Sequence, residues 1–223
     1  MMKKFILACA LVLTTLAASA QDTLTYKSSS IRVQFSGAWP TGDFNSDSFD
    51  KEYPPFAMAG PMLQISYLRN LQGTWYAGTS LALRWNQVDL DKFAKESDAL
   101  VLSRESNPWQ SVFTMADLQY QAETPGRVFY MAGSLGLAFN RKASIKVNTP
   151  FGTINQPAHN NIAPAYGFNI GIIEYFDKLG IGFELGILST KPTFEVTNQQ
   201  GRKTTYSQPM PTINFGISAT YTL

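Results

Sequence analysis

The chain has 223 residues with 18 basic and 16 acidic side chains, one cysteine, one histidine and 13% aromatic residues. That length suits one sizeable domain better than two. The near-even charge excludes the basic footprint of a nucleic-acid binder, and a lone cysteine excludes a disulfide framework.

The N-terminus reads MMKKFILACALVLTTLAASAQ. Lys3 and Lys4 precede an apolar stretch over residues 5–17, and Ala18-Ser19-Ala20 offers small residues before Gln21. This pattern predicts a secretory signal peptide cleaved after Ala20. Cys9 precedes most of the apolar stretch, so lipid attachment there is not expected. Cleavage would remove the only cysteine and two lysines, leaving no thiol and a formal charge of zero. No later apolar run reaches the roughly 18 residues that a membrane helix needs. The expected organisation is residues 1–20 as signal peptide, 21–29 as a short periplasmic segment and 30–223 as one barrel.

Eight stretches then alternate with period two, the mark of strands with one face in an apolar medium. In the first, Ile31, Val33, Phe35, Gly37 and Trp39 alternate with Arg32, Gln34, Ser36 and Ala38. In the second, Pro61, Leu63, Ile65 and Tyr67 alternate with Met62, Gln64, Ser66 and Leu68. The third is the clearest: Trp75, Ala77, Thr79, Leu81, Leu83 and Trp85 against Tyr76, Gly78, Ser80, Ala82, Arg84 and Asn86. Its residues, at about 3.4 Å rise and about 40° tilt, climb roughly 26 Å, close to the apolar band of an outer-membrane barrel. Thr114, Ala116, Leu118 and Tyr120 make the outer set of the fourth, against Met115, Asp117, Gln119 and Gln121. Phe129 to Phe139 gives the fifth, Tyr166 to Ile173 the sixth, Leu179 to Leu188 the seventh and Ile213 to Leu223 the eighth. The second and fourth are the weakest, because Met and Leu intrude on the polar face. A bulge is expected near Ile173-Glu174, leaving the facing of Glu174 and Tyr175 open.

Connections alternate short and long. Residues 70–73, 123–126 and 177–178 are short, whereas about 40–56, 87–110, 141–161 and 189–209 are long and polar. Up-and-down outer-membrane barrels have this layout, with short periplasmic turns and long external loops. Two long loops read as hairpins, tipped at Asn198-Gln199-Gln200-Gly201 and Pro150-Phe151-Gly152.

A lipocalin-like soluble barrel is the rival, with its large apolar side chains turned into a cavity. The polar face here is rich in Gly, Ala and Ser with few charges, which fits a crowded lumen better than a wet surface. On these strands, down to the closing Ala219-Thr220-Tyr221-Thr222-Leu223, the sequence resembles small eight-stranded outer-membrane β-barrels of the OmpX and OmpA transmembrane-domain type. It also resembles porin-like barrels of Bacteroidetes. The resemblance covers residues 30–223 and implies an all-β, antiparallel, up-and-down transmembrane barrel of a Gram-negative cell surface. It further implies that the last strand, through Tyr221 and Leu223, is read by the barrel assembly machinery; the family ends more often in an aromatic residue.

The predicted lumen carries Arg32, Gln34, Gln64, Arg84, Asp117, Gln119, Gln121, Asn169, Glu184 and Asn214. Two cations and two anions would balance, and a charge buried alone is costly, so pairing into a polar plug is expected. The predicted girdle is Trp39, Tyr67, Trp75, Trp85, Tyr120, Phe129, Phe139, Tyr166 and Tyr221, rings with an apolar body that suit the lipid–water boundary. His159 is the one candidate base. A lipid-modifying enzyme would need a hydroxyl and an orienting carboxylate beside it, and no signature supplies them. Loop aromatics (Phe44, Phe49, Tyr53, Phe56, Phe93, Trp109, Phe151, Phe194 and Tyr206) either pack among themselves or form a contact surface. No metal spacing or phosphate loop is present, and no cofactor is expected. The expected role is therefore non-enzymatic and structural or surface-binding. Its partners would be outer-membrane lipids, lipopolysaccharide and an extracellular protein met by a monomer. A lipid-modifying enzyme, a narrow porin or a soluble ligand carrier are the alternatives.

Overall fold

The computed structural model describes residues 29–47, 54–94, 101–197 and 203–223. The predicted signal peptide, most of the 21–29 segment, and Phe49 and Tyr53 lie outside the described residues. Eight long strands form the wall: β1 (Ser29–Pro40), β2 (Gly60–Gln72), β3 (Trp75–Asn86), β5 (Trp109–Thr124), β6 (Arg127–Arg141), β9 (Asn160–Phe176), β10 (Leu179–Thr190) and β13 (Thr212–Thr222). They are joined in sequence, each antiparallel to the next, and β1 pairs with β13 to close the barrel. The closing register runs from Ser30↔Thr222 to Pro40↔Thr212. Closure leaves the wall without an edge strand, so every neighbouring backbone is paired inside lipid.

Alternation along each strand sorts the side chains as expected. Ile31, Val33 and Phe35 on β1, and Ile181, Phe183 and Leu185 on β10, are exposed on the outer surface. Arg32, Gln34, Asp117 and Glu184 are buried inside. The bulky hydrocarbon side chains face outward around the barrel, which is the opposite of a lipocalin-like cavity.

Three tight turns mark the periplasmic end. Gly73 (φ 57°) and Gly126 (φ 77°) take left-handed backbone that suits glycine, and Asp177 (φ 60°) is short enough to share it. The opposite end carries the long loops. There a short helical turn (Gly42–Asn45), helix α1 (Leu90–Ala94), a three-stranded sheet and a two-stranded hairpin stand above the wall. The sheet is β4 (Ser103–Ser106), β7 (Ile145–Thr149) and β8 (Gly152–Gln156), with β7 central. The hairpin is β11 (Thr193–Thr197) with β12 (Lys203–Ser207). The paired strands of both expected hairpins are present, the tip at residues 198–201 lying outside the described residues; β4, recruited from another loop onto β7, was not expected.

Three expectations need correction. β5 begins at Trp109 and β9 at Asn160, several residues earlier than their alternation alone indicated. Pro164 interrupts the signal in β9, yet it lies beyond the last β10 pair, Thr190↔Ala165. It has a strand neighbour on one side only, where a proline is tolerated. The bulge is not at Ile173-Glu174: the register there runs unbroken through Gly182↔Ile173, Ile181↔Glu174 and Gly180↔Tyr175. Glu174 therefore faces outward, 3.6 Å from Arg127, and Tyr175 faces inward. The irregularity lies at Asn70/Gln72 instead, where β2 enters its turn.

Candidate functional site

Two regions concentrate polar and aromatic side chains: the lumen and the cap above it. In the periplasmic part of the lumen Arg32 sits 3.7 Å from Glu184. It donates to Gln119 Oε1 at 3.2 Å and to Thr220 Oγ1 at 3.3 Å. Its guanidinium carbon lies 4.2 Å from the Tyr130 ring centroid. Gly171 makes this stacking possible, because a Cβ there would stand 2.5 Å from the Tyr130 phenol. Asp117 accepts from the Ser134 hydroxyl across the β5–β6 pair. Gln34, Gln121 and Asn214 are buried with them, and Gln64 and Asn169 are half-buried, lining a cavity of about 10 Å³.

An apolar ring lies farther out. Ala38, Met62, Ala82, Phe113, Met115, Ala138, Ala165 and Leu188 form one buried cluster drawn from every wall strand except β13. Met62 and Met115 are the side chains that weaken the polar alternation of β2 and β5. What looked like noise in the sequence is the ring.

Beyond the ring sits Arg84. It donates from Nη1 to Met210 O and Thr212 Oγ1, both at 3.1 Å, and from Nη2 to Ser111 Oγ at 3.4 Å. Its guanidinium lies 5.0 Å from the Phe113 centroid and 5.4 Å from that of Phe44. Ser111 passes a hydrogen bond to Asn140 Oδ1 at 2.8 Å, and Asn140 donates on to Thr190 Oγ1 at 3.4 Å. The expected pairing of two cations with two anions holds for Arg32 and Glu184 only. Arg84 and Asp117 lie on opposite sides of the ring, and each uses uncharged partners.

The cap continues from Arg84 as an aromatic ladder. Phe44 meets Trp109 edge-on at 5.8 Å, Trp109 meets Phe194 at 6.0 Å, and Phe194 meets Tyr206 at 6.0 Å. Lys142 Nζ closes the series 5.3 Å from the Tyr206 centroid. These residues belong to all four external segments. Phe56, Val88, Ile145, Val147 and Met210 complete the same core, with Phe93 packed against it. Burial pushes the Lys142 ammonium below the usual lysine pKa. At the exposed rim Lys92 hydrogen-bonds Asp47 at 2.8 Å, which raises the lysine and lowers the carboxyl from their ordinary values.

Other expected residues are dispersed. The girdle residues all point outward; Trp75 and Tyr120 meet at 5.3 Å near the periplasmic turns, and Trp39, Trp85 and Phe139 stand at the opposite end. Tyr67, Phe129 and Tyr166 are exposed to the same surface, as are Tyr221 and Leu223. The His159 carbonyl accepts from Lys142 N at 2.8 Å. No hydroxyl or carboxylate bonds its imidazole among the described residues. Phe151 (87% exposed) and Leu102 (71%) project from the cap sheet.

No family model matches the sequence, and neither does any curated protein. Solved structures do resemble it. Neisserial surface protein A gives a TM-score of 0.53 at 8% identity, over 87% of this chain and 97% of that one. A major outer membrane protein from Thermus thermophilus gives 0.48 at 12% identity, over 87% and 99%. Ail, the attachment invasion locus protein of Yersinia pestis, gives 0.48 at 10%, over 89% and 99%. At such identities the likeness speaks for fold alone. The chain has the fold of the small eight-stranded outer-membrane β-barrels.

Proposed function

We propose that the protein is a non-conducting, non-enzymatic barrel of the Gram-negative outer membrane whose external cap binds a protein partner. One observation carries this reading: the four external segments are packed into a single body around Phe44, Trp109 and Phe194. Ordering loop backbone costs about 1–2 kcal/mol per residue, so loops without a task have no reason to be built this way. A surface ordered in advance spares that cost when a partner arrives.

The cap offers one suitable contact. The β8 strand pairs with β7 alone among the described residues, and no charged side chain occurs from Val147 to Ala158. Charges on an edge strand discourage pairing with another chain, and β8 has none. The opposite edge, β4, carries Arg104, which is tied to Asp91 and donates to Leu90 O of α1. An extended partner segment would add to β8, with Phe151 as its apolar anchor. Lipids and lipopolysaccharide would meet the girdle, and the assembly machinery would read the last strand at Tyr221 and Leu223. The lumen, filled by side chains at both ends, acts as a plug in this reading.

A photo-cross-linking residue at position 151, displayed on intact cells, should yield a protein adduct that Thr153→Lys with Asn155→Lys abolishes. An adduct from lipid-facing position 183 and none from 151 would sink the cap reading. Planar-bilayer conductance should be negligible, and reproducible channels would sink the plug.

A further inference from the structure

The lumen differs on the two sides of the apolar ring. On the outer side Arg84, Ser111, Asn140 and Thr212 are all hydrogen-bonded to protein, with Asn86 Oδ1 the exception. On the periplasmic side the buried Gln34 Oε1, Ser36 Oγ, Ser218 Oγ and Asp117 Oδ2 have no protein partner among the described residues, and neither do the amide atoms of Asn214, which pairs with Ala38 at the level of the ring itself. These belong to β1, β5 and β13, and in the circular strand order β5 stands across the lumen from β13. The cavity of about 10 Å³ borders the ring here, with Ser80, Ser134, Asn169 and Asn214 in its lining. It has room for about one water molecule and the polar partners to hold it.

Buried donors and acceptors left without partners are costly, and inside a barrel water is the remaining way to satisfy them. We infer that the periplasmic part of the lumen is a hydrated well, and that the apolar ring, not the Arg32–Glu184 pair, is the barrier that stops water. An ion pair attracts water, whereas a narrow hydrocarbon constriction sheds it. Seven of the eight wall strands contribute apolar side chains to the ring, and Asn214 of β13 fills the remaining place beside Ala38. This inference refines the non-conducting reading proposed above by naming the seal.

Side-chain amide exchange with water, followed by NMR on the full folded protein in lipid nanodiscs, tests it. Gln34 should exchange about tenfold faster than Asn140, or more. Equal rates, or a faster Asn140, would overturn the inference. Phe113→Ser should bring Asn140 up to the rate of Gln34, whereas Arg32→Met with Glu184→Met should leave Asn140 slow. The reverse pattern would make the ion pair the seal. Met62→Ser supplies the same readout if Phe113→Ser fails to shift on boiling in detergent. Channels in the unaltered protein would count against the non-conducting reading, while the amide pattern addresses the ring separately.

Discussion

Arg32 and Arg84 occupy the two ends of one lumen and are held by opposite means. Arg32 is served by Glu184, Gln119, Thr220 and the Tyr130 ring, all on wall strands. Arg84 has no carboxylate partner among the described residues and relies on a carbonyl, two hydroxyls and two rings. Two of those partners, Met210 and Phe44, come from external segments. An ion pair needs a fixed distance, which rigid strands provide. Carbonyls and ring faces accept a cation from loops as well. Arg32 therefore ties wall to wall, and Arg84 ties wall to cap.

The sharpest way to break this comparison is to remove the acid from the first arginine. Glu184→Ala leaves Arg32 charged and buried, and should cost about 3–5 kcal/mol in urea unfolding from lipid vesicles. Arg32→Met with Glu184→Met should recover most of that loss, since neither charge is then buried. A single variant as stable as the parent would show that the pair contributes nothing.

Arg84→Met should cost less, about 1.5–3 kcal/mol, because it forfeits hydrogen bonds made by a charged donor without stranding an opposite charge. Its effect should be regional. Proteolysis on intact cells should nick residues 41–59 and 191–211 sooner, while the barrel still shifts on boiling in detergent. Equal protection of those loops in both variants would mean that Arg84 does not couple wall to cap.

The wall was far more legible than the cap, for a physical reason. Lipid on one side and a narrow lumen on the other impose a strict two-residue period, visible from Ile31 to Leu223 one strand at a time. The ends of β5 and β9 were hidden because above the lipid the outer face need not be greasy: Gln110 and Asn160 are allowed there. The ring was hidden because Met62 and Met115 look like faults in an otherwise polar set. The ladder was hidden because Phe44, Trp109, Phe194 and Lys142 are far apart in sequence and carry no mutual period. Charge counting gave a balanced lumen but could not say that the ring separates Arg84 from Asp117.

The other end of the ladder gives a smaller effect, with a defined sign. Lys142 has a folded pKa below the ordinary lysine value of about 10.4. The unfolded chain thus binds this proton more tightly than the folded one. The penalty is present at neutral pH and is relieved as pH rises from the lowered folded value to the ordinary one. Cap stability, read as protease resistance, should therefore increase across that alkaline window. Lys142→Met should abolish the slope and leave the cap at least as resistant at neutral pH; an unchanged slope would assign it to another group.

His159→Ala should have the smallest effect. Its carbonyl bonds Lys142 N at the point where β6 and β9 give way to β7 and β8, and alanine keeps that backbone bond. A base that abstracts a proton needs a hydroxyl in reach and an acid to orient it, and this imidazole has neither among its described neighbours. Mass spectra of lipid A from cells carrying the variant should therefore match those from the parent, and so should cap protease resistance. A lipid A profile that changes while the cap stays intact would make His159 a reactive group and return the protein to the enzymes.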